Sequence, residues 1–95
     1  MAGLVHFVLG YDIQDDDRRN ALFKALGRFG YRVQFSVVEG RLRPEEFVKL
    51  KYAVKRLINP KEDRVLIVIL CENCRKKIIR MGTQSDLPDQ DIVII

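Results

Sequence analysis

Residues 4 to 11 read LVHFVLGY and are followed at once by DIQDDD, residues 12 to 17. The first stretch is apolar, partly β-branched and of strand length, and the second is rich in aspartates of the kind that cap helices. This junction fixes the start of the fold, because a buried strand ends where polar residues begin. It predicts a strand from Leu4 to Tyr11, an exit loop, and a helix that begins at Asp16 or Asp17.

The helix that follows has apolar residues spaced i, i+3, i+4 and i+7, which is the pattern of one buried helical face. The aspartates at its start complement the partial positive charge of a helix N-terminus. Gly30 is expected to end the helix in the left-handed conformation. The apolar residues of the buried face are Leu22, Ala25, Leu26 and Phe29.

The next segment alternates apolar and polar residues from Tyr31 to Val37, as a strand half exposed to water does. Its strand-like character continues to Leu42. This length predicts either one bent strand or a hairpin that turns near Ser36. Periodicity leaves both alternatives open, because no glycine or proline marks a turn.

A second helix is predicted from Pro44, which suits a first helical turn, to Asn59-Pro60, which closes it. RVLIVILC, residues 64 to 71, is apolar without alternation and predicts a strand that is covered on both faces. Three shorter segments complete the prediction: a short helix or turn from Glu72 to Met81 with Ile78, Ile79 and Met81 packed beneath it and Gly82 ending it, a polar loop from Thr83 to Gln90, and a terminal strand from Asp91 to Ile95.

This order of elements predicts an α/β (α+β) fold of the ferredoxin-like βαββαβ type with an additional C-terminal strand, in a single domain over residues 1–95. In that plan both helices cover the same face of an antiparallel sheet. The uniformly apolar half of the first strand suits the helix-covered face: Val5, Phe7, Leu9 and Tyr11.

The opposite face of the sheet is still half apolar, yet the predicted helices do not cover it. An open apolar face promotes association, and the two-fold symmetric dimer is the commonest assembly. The pattern therefore predicts a homodimer in which Asp12 and its copy lie near the same axis. In the alternative, the terminal strand or the segment from Glu72 to Met81 folds over this face in a monomer. The first-strand residues of this face are Leu4, His6, Val8, Gly10 and Asp12.

The composition is that of a basic globular protein, with 47% hydrophobic residues, 32% charged residues and a formal net charge of +4 over 95 residues. Disordered chains lack such apolar content, and a positive balance favours polyanionic partners. The first apolar run is too short to span a bilayer and has no basic flank or cleavage-type ending. We therefore expect a cytoplasmic protein that does not associate with a membrane.

Cys71 and Cys74 form one CxxC motif at the end of an apolar run. A structural zinc site needs four ligands, so this pair alone does not predict one. Redox use and a pair of small, partly buried thiols are the remaining interpretations.

Asp12 is the candidate catalytic and metal-binding residue, because it stands where a buried strand gives way to a loop. The alternative is an aspartate that only caps a turn. Mg²⁺ or Mn²⁺ is the expected cofactor: such ions take one or two protein carboxylates and keep several waters. Two copies of Asp12 across a dimer axis would hold one ion at a scissile phosphate. Asp15, Asp16 and Asp17 fit helix capping better, and mid-strand His6 fits a core or interface position.

Arg18, Arg19 and Arg32 are the candidate nucleic-acid-binding residues, since a guanidinium group bonds phosphate through two donors at once. Arg19 opens the first helix near Asp12, and Arg32 lies on the polar side of the second strand. In the alternative, these are surface arginines paired with Asp15 to Asp17. The lysines of the second helix are solvated charges with a secondary role along the nucleic-acid backbone.

Motifs that occur in order along nearly the whole chain carry a resemblance to a known family. They are Tyr11-Asp12-Ile13, Arg19, Gly30 before Arg32-Val33-Gln34-Phe35-Ser36-Val37, Glu39, Leu70-Cys71-Glu72-Asn73-Cys74 and the terminal Ile-Val-Ile-Ile. Together they resemble the CRISPR-associated Cas2 endonucleases, small proteins that accompany the CRISPR integrase in spacer acquisition.

The resemblance implies a ferredoxin-like homodimer, divalent-metal-dependent cleavage of RNA or DNA phosphodiesters, and a stable partnership with the CRISPR integrase. It also implies a hairpin around Phe35 to Val37. Val38 departs from the family pattern, which often has an aromatic residue there. The residues on which the family's functional positions fall are Asp12, Arg19, Arg32 and Ser36.

Two functions of different classes remain open. The dimer is either an endonuclease in which Asp12 holds the metal, or a non-catalytic scaffold that binds duplex DNA within the CRISPR integration complex. A third interpretation, an RNA-binding module that stacks bases on its sheet, is weaker, because aromatic residues do not recur on adjacent strands.

Overall fold

The computed structural model describes residues 3–82 of the chain. Within them the order of elements is that of the predicted βαββαβ plan, followed by one short helix. The predicted loop at 83–90 and terminal strand at 91–95 lie outside the described residues. The elements are β1 (Val5–Asp12), α1 (Asp16–Leu26), β2 (Tyr31–Gln34), β3 (Val37–Leu42), α2 (Pro44–Leu57), β4 (Arg64–Leu70) and α3 (Glu72–Arg75).

The strands form a four-stranded sheet in the order β2-β3-β1-β4. Every neighbouring pair is antiparallel. This strand order and both helical crossovers are those of the ferredoxin-like fold, as predicted. Since β1 lies between β3 and β4, its last residue, Asp12, is held by a central strand of the sheet.

The segment from Tyr31 to Leu42 is a hairpin and not one bent strand. Phe35 and Ser36 form its turn, and Ser36 has a φ of 67°, in the left-handed region that non-glycine residues seldom adopt. The backbone N–H of Tyr11 donates to the carbonyl oxygen of Ser36 at 3.0 Å. The turn is thereby fixed beside the end of β1, and the hairpin that the resemblance implied is confirmed.

Helix α1 begins as predicted and ends earlier. The Asp15 side chain caps it by accepting the backbone N–H of Arg18 at 2.9 Å. The helix ends at Leu26, so the prediction that Gly30 ends it in the left-handed conformation is wrong. Gly30 does not have a positive φ; a Cβ there would lie 2.5 Å from the carbonyl oxygen of Glu39. Glycine is needed at position 30 because α1 returns to the sheet through a close backbone contact.

The core lies between the sheet and the two long helices. Phe7 and Leu9 are completely inaccessible to solvent, and Tyr11 is buried beside them, which confirms the predicted helix-covered side of β1. The Phe7 and Phe47 rings pack with their centres 5.8 Å apart. The helices complete the core with Leu22 and Leu26 of α1 and Phe47, Leu50 and Val54 of α2.

The other face of the sheet, which we call the helix-free face, is largely open in the described chain. Leu66 pairs with Gly10 and Val68 with Val8, so these residues share one face. Leu66 is 68% exposed and Val68 is 43% exposed. Strand β4 therefore presents apolar side chains to solvent on the side that the helices do not cover.

The segment after β4 folds differently from the prediction. Helix α3 is a single turn, and Ile79 and Met81 are mostly exposed instead of packed underneath. Arg80 Nη2 instead lies 2.7 Å from Glu39 Oε2, and Glu39 is on the helix-free face, opposite Val8. Ile78 is half buried, and the Arg80–Glu39 ion pair attaches the segment to the sheet, because a buried carboxylate needs a charged partner. The segment covers the sheet around Glu39 and leaves Leu66 open.

Candidate functional site

Asp12 is the exposed last residue of β1, paired in register with Arg64 of β4. Strand alternation puts its side chain on the opposite side of the sheet from buried Tyr11. Its carboxylate accepts a hydrogen bond from the Gln14 side chain, Nε2 to Oδ1, at 3.3 Å. Most of its acceptor capacity therefore faces solvent, as a ligand for a cation or a water requires.

The loop after Asp12 is fixed at each of its residues. Ile13 is buried in the core, the Gln14 backbone N–H donates to Asp63 Oδ1 at 3.0 Å, and Asp15 caps α1. Loops with such anchors hold a neighbouring functional side chain in place. Asp12 thus combines an exposed carboxylate with a rigid backbone.

Asp63 is a buried carboxylate that joins three segments of the chain at this end of the molecule. Its side chain is inaccessible to solvent, and Arg18 Nε donates to Oδ2 at 2.8 Å while the backbone N–H of Asn59 donates to the same oxygen at 2.8 Å. The hydrogen bond from Arg18, more than any other contact, holds the pKa of Asp63 well below its usual value of 3.8, while burial opposes this shift. In return, Asp63 raises the pKa of Arg18.

Arg18 is therefore bound within the protein. Besides Asp63, its guanidinium contacts Glu62 at 3.0 Å. No local pattern predicts this ion pair, because Asp63 lies 45 positions from Arg18 in a loop that reads as an ordinary polar turn. Direct binding of nucleic acid by Arg18 stays a prediction; in the structure its side chain joins α1 to the loop before β4.

Arg19 braces the loop that follows Asp12. Its Nη2 donates to the carbonyl oxygen of Ile13 at 2.9 Å, and its Nη1 lies 2.6 Å from Asp16 Oδ1. The pairing with Asp16 is the alternative that the sequence left open. About a third of the side chain remains exposed, so the guanidinium still faces solvent while it is bonded to the residue that follows Asp12.

Arg32 lies on the helix side of the sheet, with its guanidinium carbon 5.1 Å from the centre of the Phe23 ring. Burial raises the pKa of the Tyr11 hydroxyl, and the positive charges of Arg32 and Arg19 act in the opposite direction. Both arginines thus act on the same hydroxyl. Arg19 and Arg32 therefore lie within electrostatic range of the Tyr11 hydroxyl, while the side chain of Asp12 extends from the other side of the strand end.

Ser36 lies beside this group, through its carbonyl bond to the Tyr11 backbone N–H. It is half buried and is the residue with the left-handed backbone in the β2–β3 turn. Asp12, Arg19, Arg32 and Ser36 therefore surround one end of β1. The binding roles predicted for them are compatible with this position and stay predictions.

His6 belongs to a separate buried cluster on the helix-free face. Its Nε2 lies 2.8 Å from Glu39 Oε2, and both side chains are nearly inaccessible. Burial raises the pKa of Glu39, but the hydrogen bonds from Arg80 and His6 outweigh it, so the pKa is lowered overall. His6 is thus an internal partner of Glu39, in keeping with the prediction of a core or interface position.

The two cysteines are exposed and not joined to each other, so the prediction of partly buried thiols is wrong. The backbone N–H of Cys74 donates to Cys71 Sγ at 3.4 Å and lowers the pKa of Cys71. A cavity of about 570 Å³ next to Cys71 is lined by Leu4 and His6. Since these residues flank Val5, the first residue of β1, the cavity lies at the opposite end of the strand from Asp12.

A comparison with protein families identifies the chain. Residues 5–78 match the model described as CRISPR associated protein Cas2. The chain belongs to the Cas2 family. The resemblance inferred from the sequence motifs is therefore confirmed, together with a CRISPR-associated role.

Named relatives of this Cas2 chain match it over almost its whole length. It is 41% identical over 92 residues to a protein of Methanospirillum hungatei named CRISPR-associated endoribonuclease Cas2 2, covering 97% of this chain and 100% of that one. It is 36% identical over 91 residues to the CRISPR-associated endoribonuclease Cas2 of Thermus thermophilus, covering 94% and 97%.

The fold agrees with that of solved Cas2 structures. The crystal structure of Streptococcus pyogenes Cas2 superposes with a TM-score of 0.71 at 27% identity, covering 81% of this chain and 99% of that chain. This agreement supports the ferredoxin-like assignment independently of the motifs. Over residues 3–82, no helix is long and apolar enough to cross a membrane.

Proposed function

We propose that this Cas2 chain is a homodimeric, divalent-metal-dependent endonuclease that hydrolyses phosphodiester bonds of RNA or DNA and works with the CRISPR integrase in spacer acquisition. The observation that carries the proposal is the exposed carboxylate of Asp12, held on a rigid strand end on the same face as the open apolar residues of β4. The relatives' names as endoribonucleases make RNA the first substrate to test.

The dimer follows from the helix-free face. Leu66 and Val68 form an exposed apolar surface that costs free energy in water and is relieved by association. In an isologous dimer the same patch meets its own copy. Asp12 lies on this face at the end of β1, so two copies of Asp12 approach each other across the axis.

The residues at this end of β1 fit a magnesium or manganese ion. Within residues 3–82 no group of three potential ligands from histidine, cysteine and acidic residues is formed by one protomer. One exposed carboxylate from each protomer is nevertheless enough, because Mg²⁺ retains waters and shares its remaining positions with substrate phosphate oxygens. When bound, such an ion activates a water and stabilises negative charge on the scissile phosphate.

The remaining residues position the substrate and the loop. Arg32 and the exposed part of Arg19 supply positive charge beside Tyr11, where the two guanidinium groups contact phosphate oxygens of the bound strand. The Ser36 hydroxyl donates to the same backbone. Arg18 acts through Asp63, whose bonds keep the Asp12 loop in place.

The test is Asp12→Asn, which keeps the size and a hydrogen-bonding oxygen but removes the charge. We expect Mg²⁺-dependent cleavage of single-stranded RNA to fall at least about 100-fold, while binding of the same RNA without metal is unchanged. Asp17→Asn, an exposed aspartate of the first turn of α1, is the matched control and keeps full cleavage. Wild-type cleavage by Asp12→Asn would exclude the metal role.

A second experiment tests whether Arg19 and Arg32 contact phosphate groups. Arg32→Glu and Arg19→Glu should each weaken binding and reduce the slope of log affinity against log salt by about one unit. Arg28→Glu changes an exposed arginine just after α1 and should leave the slope near that of the wild type. An unchanged slope in Arg19→Glu or Arg32→Glu means that the altered residue does not contact phosphate.

A non-catalytic scaffold that binds duplex DNA is the second candidate. It is favoured by the lack, within residues 3–82 of one protomer, of any group of three potential metal ligands from histidine, cysteine and acidic residues. The same assays separate the two functions. A scaffold binds duplex DNA with a strong salt dependence, and neither the wild type nor Asp12→Asn cleaves any substrate.

A further inference from the structure

The outer surface of α2 carries an aromatic side chain that the fold does not use. Tyr52 is 67% exposed. The buried stripe of the same helix consists of Phe47, Leu50 and Val54. At about 100° per residue, Tyr52 lies roughly opposite the middle of that stripe. Its ring therefore contributes little to the core and costs free energy by facing water.

Positive side chains surround this ring. Lys49 is one turn before Tyr52, and Lys55 and Arg56 are one turn after it, so all three lie on the same side of the helix. Lys49 pairs with Glu46 at 3.3 Å. Among residues 3–82, no ion pair involves Lys55 or Arg56. We call Val48, Lys49, Tyr52, Lys55 and Arg56 the α2 face.

The α2 face is connected to the candidate site. The backbone N–H of Asn59, just beyond α2, and that of Gln14, just beyond Asp12, donate to the same Asp63 carboxylate at 2.8 Å and 3.0 Å. The C-terminal end of α2 and the Asp12 loop are thus at one end of the molecule. From Asn59 back to Tyr52 the chain covers roughly 10 Å at about 1.5 Å per residue.

We propose that the α2 face binds an unpaired segment of nucleic acid, with one base stacked on Tyr52 and the adjoining phosphates on Lys55 and Arg56. The inference rests on the proposed function, because it concerns the strand that Asp12 would act on, and it adds a second contact region on the helix layer. That layer lies on the other side of the sheet from the helix-free face, so the α2 face stays open in the dimer.

The chemistry of the face selects this ligand. An exposed aromatic ring with neighbouring cations is the combination with which proteins bind single strands without sequence preference. A paired base has no open ring face to offer, so duplex binding would use the cations alone. An acidic protein partner would use the charges as well, but it has no need of a flat aromatic ring.

The ring is tested by Tyr52→Leu and Tyr52→Phe. Leucine keeps apolar bulk and loses the aromatic face, whereas phenylalanine keeps the face and loses the hydroxyl. With fluorescently labelled short single-stranded RNA and DNA, anisotropy titrations should show roughly tenfold or greater weakening in Tyr52→Leu. Tyr52→Phe should remain within about twofold of the wild type, and the affinity of Tyr52→Leu for a duplex of the same length should not change.

The cations are tested by the double variant Lys55→Glu with Arg56→Glu. It should lower the salt slope of single-strand binding by about two units. Lys24→Glu, on the exposed side of α1, is the charge control and should change the slope less. Circular dichroism is expected to be that of the wild type for every variant, because all these side chains point to solvent.

The outcomes separate this inference from the nuclease itself. Single-strand binding unchanged in Tyr52→Leu, equal weakening in Tyr52→Leu and Tyr52→Phe, or an equal loss of duplex binding would each overturn base stacking on Tyr52. Failure of the nuclease proposal gives a different result, since Asp12→Asn and the wild type would then cleave equally while single-strand binding still depended on the Tyr52 ring.

Discussion

The two faces of the sheet are formed by the same strands but differ in how far their apolar side chains are exposed to solvent. On the helix-covered face, Phe7 and Leu9 are completely excluded from solvent, whereas on the helix-free face Leu66 and Val68 remain open. Strand β4 carries apolar residues for both faces, but α1 and α2 both pack on the same one. The difference teaches that, within residues 3–82, β4 carries apolar side chains that the described helices leave open, and this is the surface that the proposed dimer would bury.

The largest expected effect comes from the covered face. Phe7→Ala should lower the free energy of unfolding by about 3–5 kcal/mol, because it removes a ring packed against Phe47 and leaves a cavity. Val68→Ala, on the open face of the same sheet, should cost less than about 1 kcal/mol when measured on dilute protein. Urea titrations followed by circular dichroism compare the two. Equal losses would mean that the faces are equally packed in one copy.

A charge on the open face gives the next effect. Leu66→Glu should raise the dimer dissociation constant at least about 100-fold, because a carboxylate is not desolvated without a partner. Sedimentation velocity over a range of concentrations measures it. Ile69→Glu is the control, since Ile69 is also exposed but is opposite Phe7, on the helix side of β4. If both variants dimerise like the wild type, the interface lies elsewhere.

The smallest effect is the pH dependence of stability that comes from two buried carboxylates. Asp63 lies beside the loop after Asp12, and Glu39 lies on the helix-free face. The folded-state pKa of Asp63 is below its usual 3.8 and that of Glu39 is below its usual 4.5. Each carboxylate therefore stabilises the fold above its usual pKa, and this stability is lost as the pH falls through the lower folded value.

We expect the unfolding free energy to decrease between about pH 5 and pH 2. Asp63→Asn should flatten this decrease more than Glu39→Gln does, because four donor contacts from Arg18, Asn59 and Gln14 hold Asp63. Asp17→Asn, in the exposed first turn of α1, serves as the control. A decrease as steep in Asp63→Asn as in the wild type would show that this carboxylate is not linked to folding.

Much of the fold could be predicted from local patterns. The uniformly apolar half of β1 identified the side on which Phe7 and Leu9 are buried, because successive side chains of a strand point to opposite faces. Helical spacing and Pro44 located α2 to within a few residues. These patterns succeed because each depends on neighbours along the chain.

The failures depend on contacts between distant segments. Gly30 reads as a helix stop, but its role is to let the backbone approach Glu39, which only the folded sheet brings near. The predicted packing of Ile79 and Met81 after β4 was wrong, and the pattern gave no sign that Arg80 would pair with Glu39 across 41 positions. A left-handed serine at the hairpin turn likewise has no strong sequence signal.

At the candidate site, too, features that depend on neighbours along the chain could be predicted, and contacts between distant segments could not. The exposed position of Asp12 follows from the end of an apolar run, and the pairing of Arg19 with Asp16 follows from helical spacing. The bond between Arg18 and Asp63 does not, because opposite charges far apart in sequence have many possible partners. The long-range ion pair with Asp63 is therefore the contact that binds Arg18 within the protein, and no local pattern indicated it.

The central claim is that one active site is completed by two copies of Asp12, and mixing subunits tests it most directly. Wild-type protein and Asp12→Asn are combined in equal amounts, allowed to exchange protomers, and assayed for Mg²⁺-dependent cleavage at fixed total concentration. If the site needs both carboxylates, only wild-type dimers are active and the rate is about a quarter of that of pure wild type. A rate of about half would show that each protomer acts alone, and it would contradict the shared site.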